Sequence, residues 1–131
     1  MKIHGLGTEI VEVLRIAKLI ERHADEFLNR VFTPRELTFC QNRSQTTQHY
    51  AAIWAAKQAV AKACGLRWQR TLHWSDMEIR PAASGEAKVK FRGSMRDSLE
   101  QMPIGEIRVT LAHCRSHATA TAIVLERADN A

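Results

Sequence analysis

Residues 48–65 read QHYAAIWAAKQAVAKACG, and this alanine-rich stretch has the highest helix propensity in the chain. The polar residues 42–47 precede it and mark a break in the regular pattern. Gly65 closes the stretch, because glycine readily adopts the left-handed conformation in which many helices end. We therefore predict one long helix from about Gln48 to Cys64, and we expect the other segments to pack on it.

One strand and two further helices are predicted before the long helix. Lys2–Val11 is typical of a strand, and Gly5 and Gly7 within it allow another backbone to approach closely. From Val13 onward, apolar residues recur at the spacing of one helical face, at Ile16, Ala17, Ile20 and Ala24. The sequence TPRE at Thr33–Glu36 combines a capping threonine, a proline at the first helical position and a glutamate three residues after the cap. This combination predicts the start of a short helix.

The second half of the chain changes from helical spacing to short alternating runs. Met77–Arg80 and Ala87–Arg92 flank the turn sequence ASGE, which predicts a hairpin. A short helix is expected over Ser94–Met102. Two further alternating runs, Glu106–Ala112 and His117–Glu126, are expected to pair as antiparallel strands.

Helices first and paired strands later predict a single small α+β domain over residues 1–131, with an antiparallel sheet packed on the long central helix. A Rossmann fold is rejected, because strand–helix–strand alternation is missing and Ile10 stands where a loop starting at Gly5 would need its third glycine. No Gly-Lys-Ser/Thr phosphate loop occurs in the sequence. A domain of this size has a limited core, so burial between identical subunits is physically reasonable.

The formal net charge of +5 favours an anionic partner, which leaves nucleic acid, a phosphorylated small molecule or an acidic protein. The basic residues are interleaved with acidic ones, and no nucleic-acid-binding motif is present, which argues against nucleic acid. The N-terminal sequence lacks the apolar core of a signal peptide, and no run is long enough to span a bilayer. We therefore expect a cytoplasmic protein with no membrane association. Its three widely spaced cysteines, Cys40, Cys64 and Cys114, are expected to be reduced thiols.

Four segments carry a more specific signal. They read GLGTEIVEVLRI from Gly5, WAAKQAVAKACG from Trp54, WSDMEIRPAASGEAKV from Trp74 and VTLAHCRSHATATAIV from Val109. Together they resemble the holo-acyl-carrier-protein synthases, a family of small 4′-phosphopantetheinyl transferases, in the family's order and at about its spacing. The resemblance implies transfer of the phosphopantetheine arm of coenzyme A to a serine of an apo acyl carrier protein, with Mg²⁺ assisting. It also implies a homotrimer whose ligand cleft lies between neighbouring subunits.

The same resemblance assigns the metal ligands and the catalytic residues. The family's two carboxylates map to Glu9 in the first strand and Gln58 on the long helix. Gln58 keeps only a neutral oxygen, and this should weaken the retention of Mg²⁺. Lys62 lies four residues after Gln58, so a helix places both side chains on one face. By resemblance, the catalytic residues are expected to be Lys62 and Glu9, with Lys62 on phosphate and either Lys62 or a bound water accepting the serine proton.

The resemblance also implies which residues contact coenzyme A and which contact the carrier protein. By resemblance, the residues expected to contact coenzyme A are Lys62, Gly65, Ser84, Gly85 and His113. Two positions nearby depart from the family: Ile53 replaces an arginine, and Ala112 replaces a hydroxyl residue. By resemblance, the carrier protein is expected to contact the first helix at Arg15, Lys18 and Arg22, where basic side chains would steer an acidic partner.

Each of these residues also has an ordinary structural interpretation. Glu9 alone is typical of a solvated or capping carboxylate, and Gln58 with Lys62 is typical of an exposed helix face. Ser84 and Gly85 suit a turn. The three basic residues on the first helix suit a solvated face. A family member without transfer activity, which binds coenzyme A or a carrier protein, is therefore the main alternative, and a small basic nucleic-acid-binding module is the third.

Two further groups are interpreted as structural. Tryptophans can stack on adenine or bases, but packing is the commoner role, and it is expected here for Trp54, Trp68 and Trp74. His113 and His117 lie close in sequence without an evident third ligand, so a zinc site is not expected.

Overall fold

The computed structural model describes residues 2–66 and 72–128. The helices and strands, in chain order, are β1 Ile3–Glu12, α1 Val13–His23, α2 Asp25–Val31, α3 Pro34–Gln41, α4 Thr46–Cys64, β2 Met77–Pro81, β3 Glu86–Phe91, α5 Gly93–Glu100, β4 Ile104–His113 and β5 His117–Glu126. A single 3₁₀ turn, Trp74–Asp76, precedes β2. Trp68 lies outside the described residues, so its predicted packing role stays a prediction. Within the described ranges, no helix has the length and apolar character needed to cross a membrane.

The strands form one antiparallel sheet in the order β1-β5-β4-β3-β2. β5 lies between β1 and β4 and pairs with both along most of its length. β3 pairs with β4 only at Glu86–Thr110 and Ala87–Val109, so the β2–β3 hairpin is joined to the rest of the sheet at one end. The predicted α+β architecture is confirmed, including the hairpin and the antiparallel pairing of the last two strands.

The long helix α4 packs on β1, β5 and β4 and forms the centre of the domain. Its buried side carries mainly alanines, whose small side chains allow the sheet to approach. The closest approach is at two glycines of β1. A Cβ atom at Gly5 would lie 1.9 Å from the carbonyl oxygen of Ala63, and one at Gly7 would lie 2.1 Å from that of Ala59. The close backbone approach predicted from these glycines is therefore confirmed.

The first helical segment is shorter than its apolar spacing predicts. α1 ends at His23, and Ala24 has a φ angle of 45°, in the left-handed region that alanine rarely adopts. A separate helix, α2, then begins with Asp25 and Glu26, whose negative charges favour a helix N-terminus. The inclusion of Ala24 in the face of the first helix is therefore wrong, and α2 is an element that the periodicity did not predict.

A buried ion pair joins α3 to α4. The capping box predicted at Thr33 and Glu36 is confirmed, and the Glu36 carboxylate also lies 2.7 Å from the Nζ of Lys57, with both side chains fully buried. Lys57 donates further hydrogen bonds to the backbone oxygens of Val31 and Trp74. Burial raises the pKa of Glu36 and lowers the pKa of Lys57, because desolvation works against both charges. Removing either partner would leave the other as an uncompensated buried charge.

The sheet face opposite α4 is exposed at β1, and we call it the outer sheet face. Leu6 is 67% exposed and Ile10 is 63% exposed. Because alternate residues of a strand point to opposite faces, these side chains point away from α4, which Gly5 and Gly7 contact. Leu14, at the start of α1, adds another exposed apolar side chain. Large apolar side chains grouped in this way are typical of an interaction surface.

Candidate active site

The first strand and the long helix bring Glu9, Gln58 and Lys62 together. The Nζ of Lys62 lies 2.8 Å from Oε2 of Glu9, and it donates a hydrogen bond of 3.2 Å to the backbone oxygen of Thr8. Gln58, one helical turn before Lys62, lines the same cavity of about 210 Å³. We call it the Glu9 cavity, and its remaining lining residues are Ala61, Leu66, Leu72 and Trp74. The structure therefore places the three predicted residues within reach of one small ligand.

The ion pair in this cavity is partly solvated. The Lys62 side chain is 56% exposed and that of Glu9 is 21% exposed. Ion pairs in contact with water are worth about 1 kcal/mol or less, because solvent screens them. The ammonium of Lys62 can therefore leave Glu9 for a phosphate oxygen at little cost.

Glu9 and Gln58 supply the only carboxylate and amide oxygens among the described lining residues of this cavity. In the described ranges, no group of three or more histidine, cysteine, aspartate or glutamate side chains is arranged to hold a metal ion. Magnesium commonly uses one or two carboxylates together with water and substrate phosphate oxygens. The donor set therefore fits a hard cation that arrives with a phosphorylated ligand better than one held by protein alone.

A groove of about 410 Å³, which we call the Arg15 groove, shares Glu9 and Gln58 with the Glu9 cavity. Arg15 lines the groove, whereas Lys18 and Arg22 lie exposed elsewhere on α1. The apolar lining comes mainly from Ile16, Leu19, Phe27 and Trp54. The groove thus combines the guanidinium of Arg15 with the carboxylates of Glu9 and Glu12 and an apolar floor. Of the three basic residues predicted on this helix, the structure brings Arg15 to the site.

A second cavity of about 340 Å³ lies at the other end of α4, and we call it the His113 cavity. His113 at the end of β4, Gly85 in the hairpin turn and Ile53 on α4 all line it. Ser84 does not line it among the described residues, and its Oγ accepts a hydrogen bond of 3.3 Å from the backbone N–H of Glu86. The structure therefore brings together two of the predicted nucleotide contacts, His113 and Gly85, and gives Ser84 a role in the turn.

Gly65 and the two described tryptophans also have defined places. Gly65 closes α4 in the left-handed conformation, with a φ angle of 80°, and its neighbour Leu66 lines the Glu9 cavity. The rings of Trp54 and Trp74 meet edge to face at 4.9 Å between centroids. The packing role predicted for these two tryptophans is therefore confirmed.

Two residues of the His113 cavity were not singled out from the sequence, namely Arg43 and His49. The ring of His49 lies 4.6 Å from that of His113, and the guanidinium of Arg43 lies 4.2 Å above the ring of Phe39. Partial burial lowers the pKa of His49, and the positive charges of His113 and Arg43 lower it further. The sequence signal that could have identified His49 was its spacing of four residues from Ile53, which places both on one face of α4. Arg43 lies in the polar break, where no periodicity marks it.

The chain matches known proteins over most of its length. Residues 5–122 match the family model described as the 4′-phosphopantetheinyl transferase superfamily. The chain is 38% identical over 126 residues to a holo-[acyl-carrier-protein] synthase of Rhodopirellula baltica, covering 96% of this chain and 100% of the relative. The crystal structure of the holo-[acyl-carrier-protein] synthase from Neisseria meningitidis superposes with a TM-score of 0.84 at 25% identity, covering 95% and 99% of the two chains. An ACPS-CoA complex from Chronobacterium ammoniagenes superposes with a TM-score of 0.79 at 25% identity, covering 95% and 98%.

These matches, together with the fold, place the chain in a class, the 4′-phosphopantetheinyl transferases, which are enzymes. The match to the family model spans most of the chain, and the chain covers its relatives almost end to end. Within that class, the chain belongs to the holo-[acyl-carrier-protein] synthase family. The resemblance carried by the four sequence segments is therefore confirmed.

Proposed function

We propose that this chain transfers the 4′-phosphopantetheine arm of coenzyme A to a serine hydroxyl of an apo acyl carrier protein in the cytoplasm. The observation that carries the proposal is the Lys62–Glu9 ion pair, which lies beside Gln58 where the Glu9 cavity meets the Arg15 groove. A cation and a carboxylate placed together suit both requirements of the reaction, a neutralised pyrophosphate and an acceptor for the serine proton.

In this reaction the serine oxygen forms a bond to the phosphorus next to the pantetheine arm. The bond from that phosphorus to the bridging oxygen breaks, and adenosine 3′,5′-bisphosphate leaves with the electron pair. Lys62 can move from Glu9 to a phosphate oxygen and neutralise the charge that develops there. The serine proton passes to a base in the Glu9 cavity. The candidates are a water held by Glu9 and the amine of Lys62, which must first lose its own proton.

Magnesium would be held by the carboxylate of Glu9, the amide oxygen of Gln58 and phosphate oxygens of coenzyme A. When bound, it supplies Lewis-acid stabilisation of the transferring phosphoryl group. The Lys62–Glu9 pair is partly solvated, so Glu9 would be able to turn from Lys62 to the ion. The neutral oxygen of Gln58 makes the affinity of the empty protein for the ion low, so most of the binding comes with the substrate.

The His113 cavity would hold the nucleotide end of coenzyme A, with His113 and Gly85 as contacts and Ser84 shaping the turn. Ile53 and Lys62 are nine residues apart on α4, which corresponds to about 14 Å along a helix. This separation and the apolar outer sheet face support a homotrimer in which a ligand lies between the His113 cavity of one subunit and the Glu9 cavity of its neighbour. Gly65, at the end of α4, lies on the Glu9 side of such a cleft.

The carrier protein would dock on α1 and the Arg15 groove. Arg15 provides a cation at the groove, and Lys18 and Arg22 extend the positive charge along the exposed side of the same helix. The apolar floor, which includes Phe27 and Trp54, would bury a hydrophobic side chain of the carrier. An acidic partner would therefore be attracted by charge and held by apolar contact.

The function is tested by incubating the protein with coenzyme A and an apo acyl carrier protein, with and without Mg²⁺, and measuring the intact mass of the carrier. The expected result is a mass increase equal to one phosphopantetheine arm, which requires the divalent ion. The second candidate is a binding protein without transfer activity. It is favoured by one observation, the replacement of a charged ligand by Gln58. Coenzyme A binding without any mass increase would support that candidate and overturn the proposed reaction.

A further inference from the structure

The His113 cavity has an unusual set of charges. Its described lining residues include Arg43, His49 and His113 but no acidic side chain. These three groups come from three different parts of the fold, the turn after α3, the start of α4 and the end of β4. The other lining residues of the cavity, which include Pro81 and Gly85, contribute no titratable side chain. A cavity lined by basic groups alone is suited to an anion.

The hydrogen bonding of His113 determines what it can offer to an anion. Its Nδ1 lies 2.9 Å from Oε1 of Gln48, so in the neutral ring Nδ1 carries the proton and donates to that amide oxygen. The other nitrogen, Nε2, then has a lone pair and repels a phosphate oxygen. Only the protonated ring has a second N–H to donate. His113 therefore binds phosphate well only as the imidazolium ion.

A second imidazole lies against this ring. The rings of His49 and His113 are 4.6 Å apart between centroids, at an angle of 66°. Two imidazolium ions at this distance repel each other, and Arg43 adds a third positive charge in the same cavity. Without an anion, this repulsion opposes the addition of a second proton to the two rings. A phosphate dianion between them would remove the repulsion and stabilise the charged form.

We infer that His49 is a second phosphate-binding residue of the His113 cavity, and that binding a phosphate draws a proton onto the His49–His113 pair. Ile53 is consistent with this assignment. It lines the cavity from α4 without a charge, so the positive charge of the cavity comes from Arg43 and the two histidines. The inference rests on the proposed function only for the ligand, which would be the phosphorylated adenosine end of coenzyme A. It makes the affinity for that ligand depend on pH.

The uptake of protons can be measured directly. Adenosine 3′,5′-bisphosphate is titrated into the full chain by calorimetry at about pH 7.5, in two buffers of different ionisation enthalpy. The phosphate monoester has a second pKa near 6, so it stays dianionic and contributes little to the proton count. The expected result is the uptake of up to about one proton per site, and a Kd that falls by up to about tenfold between pH 8 and pH 7.

Substitutions of the two histidines test whether the proton that is taken up binds to the His49–His113 pair. His49→Gln and His113→Gln should each weaken nucleotide binding and lower the proton uptake, and the double variant should take up no proton. His23→Gln is the matched control, because His23 is an exposed histidine at the end of α1, and it should behave as the unmodified protein. The NMR titration of the histidine ring protons in the unmodified protein, with and without the nucleotide, gives the same information without a substitution.

The possible outcomes separate the two proposals. Nucleotide binding with no proton uptake, or proton uptake that is unchanged in His49→Gln, overturns this inference and leaves the transferase function intact. A failure of the nucleotide to bind at any pH overturns both. Proton uptake that disappears only when both histidines are replaced, with weaker binding in each single variant, supports the pair as a shared phosphate-binding unit.

Discussion

At the scale of single residues, the Glu9 cavity combines the carboxylate of Glu9 on β1 with two groups of α4. These are the amide of Gln58 and the ammonium of Lys62, one helical turn apart. The amide of Gln58 is the neutral member. A divalent ion therefore meets one formal negative charge from protein instead of two, and Lys62 competes for that charge. The affinity for the ion should respond strongly to any change at these positions.

The first prediction concerns Gln58. In Gln58→Glu, an anionic oxygen replaces a neutral one, so the Mg²⁺ concentration for half-maximal transfer should fall on the order of tenfold, equivalent to ~1.4 kcal/mol. The gain should disappear as Mg²⁺ saturates. Glu9→Gln should have the opposite and larger effect, whereas Glu21→Gln, at an exposed position of α1, should change little. Transfer rates measured against Mg²⁺ concentration test all three variants. A metal dependence that none of these changes alters would show that the assigned ligands are wrong.

The second prediction concerns Arg15. Charge reversal in Arg15→Glu should raise the KM for the carrier protein on the order of tenfold, ~1.4 kcal/mol, and should leave the Kd for coenzyme A almost unchanged. The effect should shrink at high ionic strength, because salt screens exposed charges. Lys18→Glu is the matched control, because Lys18 lies outside the groove, and it should have a smaller effect. Equal losses for both ligands would contradict the assignment of Arg15 to the carrier.

The third prediction concerns acid stability. The pKa of His49 is lowered in the folded protein by burial and by its positive neighbours, so the unfolded state binds this proton at a higher pH. The stability contributed by neutral His49 is therefore complete above the unfolded-state pKa of about 6.5, and it is lost as the pH falls from there through the lowered pKa of the folded protein. Urea unfolding at pH 7.5 and pH 5.5 should show a smaller acid-induced loss for His49→Gln than for the unmodified protein. An identical loss in both proteins would be evidence against a depressed pKa.

At the scale of elements, the contact between β1 and α4 positions the Glu9 cavity. The fourth prediction is that Gly7→Ala destabilises the protein by about 1–3 kcal/mol or more, because its Cβ would lie 2.1 Å from the Ala59 carbonyl oxygen. The same displacement would move Glu9 away from Gln58 and lower transfer activity. Gly105→Ala in β4 is the control, with a closest contact of 3.0 Å, and its effect should be smaller. Chemical unfolding and the transfer assay test both variants.

The elements also show where sequence reasoning succeeds. α4 and the capping box before α3 were predictable because their signals are local, a run of strong helix formers and a set of capping residues. The break at Ala24 was missed because alanine rarely adopts a positive φ angle, and the acidic pair Asp25 and Glu26 that opens α2 was the only local signal for a new helix. Similarly, the Glu9–Gln58–Lys62 grouping followed from family resemblance, whereas Arg43 and His49 join the His113 cavity only through the three-dimensional arrangement of α3, α4 and β4.

At the scale of the whole molecule, the outer sheet face leads to the fifth prediction. We expect a homotrimer in solution, as the family resemblance implies, and the exposed side chains of Leu6, Ile10 and Leu14 offer an apolar surface for its interface. Light scattering should give three times the mass of one chain. Leu6→Glu should shift the protein toward smaller species and weaken coenzyme A binding, while Glu21→Gln should do neither. A stable monomer that binds coenzyme A fully would refute a cleft shared between subunits.

The buried Lys57–Glu36 pair has a consequence for the order of folding. Lys57 contacts groups 17, 21 and 26 residues away in the sequence, at Trp74, Glu36 and Val31. Each of these contacts closes a separate loop of chain, and none is useful until the others have excluded water from the two charges. We therefore expect the pair to form late in folding, after α4 has packed on the sheet. Because contacts that form after the transition state act on the unfolding rate, breaking this pair should shorten the lifetime of the native state more than it slows folding.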